Sequence, residues 1–214
     1  MLTLHSYWRS SAAYRVRIAL AYKGLDASQV PVHLLKDGGQ QHAEPYKTLN
    51  PAQLVPTLQH DGLTLHQSLA IIEYLDAVFP QQPLLPKDPA QAALVRALAL
   101  DIACDIHPLN NLRVLQYLTG TLAVTEQQKT DWILHWLRQG FSALEQRLAV
   151  TAGTCCVGDT VTLADLCLVP QVYNALRFAL DLTPYPHLLR VYRHCLTLPA
   201  FASAAPEQQP DAQL

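Results

Sequence analysis

The sequence predicts an α/β domain of order β-α-β-β-β-α followed by an all-helical domain, and three observations carry that expectation. Residues up to about 80 alternate short apolar runs with one helical pattern and end on a second. A cluster of prolines, Pro80, Pro83, Pro86 and Pro89, then interrupts the chain. Each ring fixes φ and turns its predecessor away from helix, so the segment reads as an extended connector. Beyond it the composition shifts to Ala, Leu and Gln at helical spacing, with no convincing strand. The expected boundaries are 1–82 for the first domain, 83–89 for the linker and 90–214 for the second.

The elements follow in order. Leu2 to Ser6 alternates as a short strand, and Val16, Ala19, Leu20 and Lys23 recur at helical spacing until Gly24, a helix stop. The run Gln29 to Leu34 follows closely enough for a βαβ crossover, which makes the two strands parallel. Lys36 to Gln41, with two glycines, is a loop. Val55–Leu58 and Leu63–Leu65 flank His60-Asp61-Gly62, whose Asp-Gly step signals a hairpin. A helical stripe of Leu69, Ile71, Ile72 and Leu75 then ends before Pro80.

In the second domain, helical patterns lie near 89–118, 125–149, 162–178 and 186–197. Thr162-Leu163-Ala164-Asp165 is a capping-box signature and speaks to folding rather than chemistry. The tail beyond Pro206 is polar.

Composition excludes several classes. Half of the 214 residues are apolar, enough for a substantial core. A net charge of −2 supplies no basic field for nucleic acid or an anionic membrane surface. The first residues lack the pattern of a signal peptide, and no run of about 18 uncharged apolar residues could span a bilayer, so the expected location is cytoplasmic. The five cysteines, Cys104, Cys155, Cys156, Cys167 and Cys195, form no C-x-x-C pair and no zinc spacing. They read as buried free thiols, and no metal site is expected.

Chemistry concentrates at three places. Tyr7 to Arg17 crosses from the first strand into the first helix, where Ser10 or Ser11 can cap the free N–H groups. Arg9, Arg15 and Arg17 crowd a helix end that is already positive, which points to an anion balancing them. Such a terminus suits a thiolate, yet positions 10–13 read Ser-Ser-Ala-Ala, so any sulfur must arrive on a ligand. Second, Pro56 opens a strand and suits a cis peptide that would leave Val55 free to pair with an extended, peptide-like ligand. Third, Gln67-Ser68 begins another helix, where N–H groups and a hydroxyl could bind a carboxylate, although Ser68 would serve equally as a plain N-cap.

Ser10-Ser11 with Arg15–Leu20, Asp37-Gly38-Gly39-Gln40-Gln41, Asn50-Pro51, Val55–Leu58, His66–Leu75, Asp159, Thr162–Val172 and Asp181–Pro186 resemble the zeta class of glutathione transferases. Maleylacetoacetate isomerases belong to that class, and the likeness covers nearly the whole chain. It implies the glutathione transferase fold, a thioredoxin-like domain plus a helical domain, with glutathione as cofactor. It also implies that Ser10, Ser11 and the start of the helix, Ala12, Ala13, Tyr14 and Arg15, hold the sulfur. Val55 would pair with the cysteinyl backbone, Gln67 and Ser68 would hold the γ-glutamyl end, and Gln41 would reach the glycyl end. His107, Asn111, Leu112 and Arg113 occupy positions that line the ligand in this family. The class usually reads Ser-Ser-Cys-x-Trp-Arg, whereas this chain has Ala12 and Tyr14. A reaction that depends on that cysteine should therefore be absent.

The implied reaction is cis–trans isomerisation of a small unsaturated dicarboxylic keto acid by thiolate addition, bond rotation and elimination. Arg9 and Arg177, with Arg113 as a third, are the candidates for the substrate carboxylates; a solvated surface arginine is the lesser alternative for Arg177. Maleylacetoacetate comes first as substrate and maleylpyruvate second; a methylene is worth only about 1–3 kcal/mol in a pocket, so one site can accept both. A transferase or dehalogenase acting on α-halo acids is the competing enzyme class, and a glutathione-binding adaptor is the non-enzymatic one. The family further implies a homodimer.

Overall fold

Four strands, β1 (Leu2–Ser6), β2 (Ala27–Pro31), β3 (Thr57–His60) and β4 (Leu63–His66), form one sheet in the order β2-β1-β3-β4. The structure is a computed structural model and describes residues 1–213. β1 and β2 are parallel, with Leu2 opposite Ala27, while β1–β3 and β3–β4 are antiparallel. Leu4 faces Leu58 across the central pair, and both are fully buried. Helices α1 (Ser11–Tyr22) and α3 (Ser68–Val78) pack together. The hairpin turns on Asp61 (φ 47°) and Gly62 (φ 83°), the two positive φ values that a two-residue turn of this hand requires.

Three local features differ from the sequence reading. β2 pairs from Ala27 rather than Gln29, because register with Leu2 sets its start. Val32 and Leu34 instead pack against Tyr7 and Trp8. β3 begins at Thr57, after a cis Val55–Pro56 peptide, rather than at Val55. A short helix, α2 (Glu44–Leu49), lies beyond the Lys36–Gln41 loop, in a stretch where the sequence shows no element.

The first compact unit comprises Met1–Leu84 and the chain from Leu196 onward, so the end of the chain groups with the α/β sheet and not with residues 90–195. Here α9 (Pro199–Ser203) packs on α1. The Tyr14 hydroxyl donates to Phe201 O (3.2 Å), Arg17 Nε donates to Ala204 O (3.1 Å), and Trp8 N–H donates to Asp211 Oδ2 (3.0 Å). These contacts are long-range and depend on polar side chains, which hydrophobic periodicity does not register.

The second unit, Leu85–Cys195, is helical: α4 (Pro89–Leu100), α5 (Leu112–Gly120), α6 (Glu126–Thr151), α7 (Leu163–Arg177) and most of α8 (Pro186–Leu196). The single helix expected over 89–118 is broken by a π-turn at Asp101–Ile106 and a 3-10 turn at His107–Asn110. Pro108 supplies no N–H, the backbone turns extended at Asn111 (φ −69°, ψ 146°), and Asn111 recaps the chain by accepting from Arg113 N–H (3.2 Å). Ile106 enters a notch at Gly140, where a Cβ would come within 2.3 Å of its Cγ1. Trp132 Nε1 donates to Leu109 O (2.8 Å) and holds the 3-10 turn.

Helix α7 is buried without interruption from Leu163 to Val172 and packs on α4. Its capping box forms as read: Asp165 accepts from Thr162 N–H (2.8 Å) and from Cys156 N–H (2.7 Å). Burial pushes the Asp165 carboxyl up, against the hydrogen bonds that pull it down. Burial also pushes up the Cys156 thiol, while hydrogen bonding with Cys155, then burial, raises Cys195. Four of the cysteines are buried free thiols, and only Cys104 is exposed. Among the described residues no helix is long and apolar enough to cross a membrane.

Candidate active site

The site in the first unit is built around two helix N-termini. Ser10 is the N-cap of α1: its extended backbone (φ −72°, ψ 118°) lets Oγ accept from Ala13 N–H at 3.2 Å. Ser11 follows as the first helical residue and is buried. Neither α1 nor α3 has an acidic residue in its first turn, so each keeps the positive end of its dipole uncompensated by its own sequence. A guanidinium ties the two together, since Arg15 Nη1 donates to Ser68 Oγ at 3.2 Å, with both residues buried. Gln67, the residue before α3, sits at φ 72°, ψ 114°, a conformation that costs a non-glycine residue about 1–3 kcal/mol. Strain of this kind persists where the surroundings over-determine it, and here it sets the approach of Gln67 to the helix end.

The same unit holds an apolar floor of Tyr7, Trp8, Val32, Tyr46 and Val55, with Leu34, Leu49 and Ala212 against it. It joins the loop before α1 to Val55. Tyr46 donates to Leu54 O (2.6 Å) and meets Thr57 Oγ1 (2.9 Å); Asn50 Nδ2 reaches the same two oxygens at 2.8 and 3.1 Å. The backbone on either side of Val55–Pro56 is therefore fixed by buried polar groups, and burial raises the Tyr46 hydroxyl pKa. The sequence signals neither Tyr46, in a stretch without periodicity, nor Asp211, in the polar tail.

Gln41 is buried at the edge of this floor, its Nε2 at 3.5 Å from Leu34 O. It fits only because Gly39 has no side chain: a Cβ there would lie 2.5 Å from Gln41 Nε2. The loop is closed by its own polar groups, with His33 Nδ1 accepting from Leu35 and Lys36 N–H at 3.1 and 2.9 Å.

The expected arginines separate into different roles. Arg17 is buried and donates to Ser6 Oγ (3.1 Å), Tyr7 O (3.3 Å), Trp8 O (2.8 Å) and Ala204 O. These bonds staple the site loop to the end of the chain. Arg9 is partly exposed, its guanidinium 5.3 Å from the centre of the Trp8 ring. The Tyr14 hydroxyl is committed to α9, which leaves its backbone as the part that remains at the helix start.

The other candidates belong to the second unit. His107 opens the 3-10 turn, Asn111 caps α5, and Leu112 and Arg113 form its first turn, with Arg113 exposed. Arg177 is the last residue of α7, exposed, with its guanidinium 5.7 Å from the centre of the Phe178 ring. A cation there is favoured by the negative end of the helix. No group of three or more metal-ligating side chains occurs among the described residues.

Residues 1–77 match the family model of the glutathione S-transferase N-terminal domain, and residues 134–199 match that of the C-terminal domain. A probable maleylacetoacetate isomerase of Vibrio cholerae serotype O1 is 55% identical over 211 residues, covering 99% of this chain and 98% of the relative. The holo structure of a maleyl pyruvate isomerase, a bacterial zeta-class glutathione S-transferase, superposes with TM-score 0.95 at 46% identity, over 99% and 100% of the two chains. The chain belongs to the zeta class of glutathione transferases. A further member, the maleylacetoacetate isomerase of Methylobacterium extorquens AM1 solved with malonate and glutathione, superposes with TM-score 0.95 at 38% identity, over 99% and 100%.

The residues present fit the cofactor of the glutathione transferases. Glutathione carries a thiol, two carboxylates and two amides. The first unit offers a serine-lined helix end that holds no cysteine, a second helix end beside Ser68, and a buried Gln41 whose Oε1 makes no hydrogen bond.

Proposed function

We propose that the protein is a glutathione-dependent cis–trans isomerase that converts maleylacetoacetate to fumarylacetoacetate. The observation that carries this reading is the N-terminus of α1. It is capped by Ser10, followed by buried Ser11, cross-linked through Arg15 to Ser68, and has no thiol of its own. Glutathione, when bound, supplies the thiolate that adds to the double bond and leaves once that bond has rotated. The helix end and the Ser10 and Ser11 hydroxyls favour the ionised sulfur over a thiol whose free pKa is about 8.5. Val55 pairs with the cysteinyl backbone, Gln67 and Ser68 take the γ-glutamyl end, and Gln41 takes the glycyl end. His107, Asn111, Leu112 and Arg113 of the helical unit complete the ligand set. Arg9 and Arg177 hold substrate carboxylates and offset charge that develops on the ketone oxygen.

Ala12 stands where the class commonly has cysteine, and this leaves the scheme intact because no protein thiol takes part. Maleylpyruvate is the second substrate in order. It shares the cis-enedione acid, and a maleyl pyruvate isomerase matches this fold over nearly its whole length. The protein is further read as a cytoplasmic homodimer of aromatic amino-acid breakdown, which sedimentation and fractionation would test. The discriminating experiment measures kcat/KM for both acids in the presence of glutathione, with Arg177→Ala alongside. The reading predicts turnover of maleylacetoacetate with the higher kcat/KM. It also predicts a KM for the diacid raised about tenfold or more in the variant, the worth of one charged hydrogen bond, at unchanged glutathione affinity. An unchanged KM would remove Arg177 from the site, and halide release from α-halo acids without isomerisation would favour a dehalogenase.

A further inference from the structure

The loop that carries Gln41 contains a hydrogen-bond relay that the reaction does not require and that the ligand assignment does not include. His42 Nδ1 meets Gln53 Oε1 at 2.6 Å, and His42 Nε2 meets Gln41 Nε2 at 3.0 Å. An amide oxygen only accepts, so Nδ1 carries the imidazole proton. The other ring nitrogen of a neutral imidazole is then an acceptor and takes an N–H from the Gln41 amide. Gln53 is itself fixed: it sits at φ 57° and its N–H donates to Asn50 O at 2.9 Å. Gly39 also packs on the Gln41 amide, since a Cβ there would lie 2.5 Å from Nε2 and 2.8 Å from Oε1. With its NH2 engaged by His42, the Gln41 oxygen is left buried without a hydrogen-bond partner, on a side chain only 5% exposed.

We infer that His42, oriented by Gln53, is a positioning residue that fixes the Gln41 amide so that its oxygen accepts the glycyl N–H of glutathione. The inference rests on the proposed function, in which Gln41 serves the glycyl end. It goes further by naming which atom of Gln41 acts and what sets it. Without an acceptor at position 42 only the long contact to Leu34 O (3.5 Å) holds the NH2, and an amide that turns presents a donor to the glycyl N–H.

The test is calorimetric binding of two ligands, glutathione and γ-glutamylcysteine, to the full chain and to His42→Leu and His42→Gln. The dipeptide keeps the thiol and the γ-glutamyl end and lacks the glycyl residue. The native chain binds glutathione more tightly than the dipeptide. His42→Leu loses about tenfold in glutathione affinity, one hydrogen bond's worth, and nothing for the dipeptide. It keeps kcat at saturating glutathione within about twofold, since lost ground-state binding leaves the chemical step alone. His42→Gln, whose side-chain oxygen can replace Nε2 as acceptor, restores the preference. Equal losses for both ligands would mark His42 as merely structural, and no loss for either would remove it from the site. Both outcomes overturn the inference while leaving the function standing, whereas a native chain that binds neither ligand overturns the function and the inference with it.

Discussion

Ser10 does two jobs with one hydroxyl: Oγ accepts the Ala13 N–H as a helix cap, and its O–H remains a donor toward a sulfur at the helix end. The two roles can be separated. Ser10→Asp keeps a good cap but places a carboxylate where a thiolate must form. It should hold the melting temperature near that of the native chain and reduce isomerisation about a hundredfold, the scale on which a lost anion donor acts. Activity close to native would move thiolate stabilisation to Ser11. At this scale the sequence was most legible where a residue type has few uses. The serines at a strand–helix junction and the Asp-Gly turn fell where read. Arg17 was less legible, because a cation near a helix start suggests an anion, and only the fold shows that it also donates to the main-chain carbonyls of Tyr7 and Trp8.

Elements here are held by buried polar clamps as much as by apolar faces. Lys23, the C-cap of α1, has a fully buried side chain whose Nζ lies 2.7 Å from Asp76 Oδ1. It donates to the carbonyls of Phe79 (2.9 Å), Gln81 (3.0 Å) and Gln82 (3.2 Å), and so fastens the start of the proline-rich connector to α1 and α3. Lys23→Met leaves Asp76 and those carbonyls without their cation. Breaking a buried pair by removing one partner costs about 3–5 kcal/mol, which a shift in urea midpoint at unchanged slope would record. A shift below about 1 kcal/mol would mean that water replaces the ammonium. Strong periodicity made α1, α3, α6 and α7 readable. α2 was not, because six residues with one buried tyrosine carry no period, and the break at 101–110 was hidden because its apolar residues continue the pattern of α4.

For the whole molecule, the order of elements and the family follow from the sequence, while the grouping of the chain does not. Beyond the last helical pattern at 186–197 the sequence shows no period, yet Phe201, Ala204 and Asp211 accept hydrogen bonds from Tyr14, Arg17 and the Trp8 N–H, three donors that flank the site serines. Deleting residues 198–214 should therefore lower the melting temperature and weaken glutathione binding together. Each orphaned buried donor costs about 1–3 kcal/mol. Thermal unfolding and calorimetry on the shortened chain would measure both, and unchanged glutathione affinity would show that the tail supports stability alone. The central claim concerns what happens to glutathione over a full cycle. Maleylacetoacetate conversion should be followed with glutathione far below the substrate concentration, and free thiol titrated at the end. The account predicts many turnovers per glutathione, no conversion in its absence, and the thiol recovered in full. Conversion that stops after one equivalent, with the thiol consumed, would make the protein a transferase and contradict isomerisation by a borrowed nucleophile.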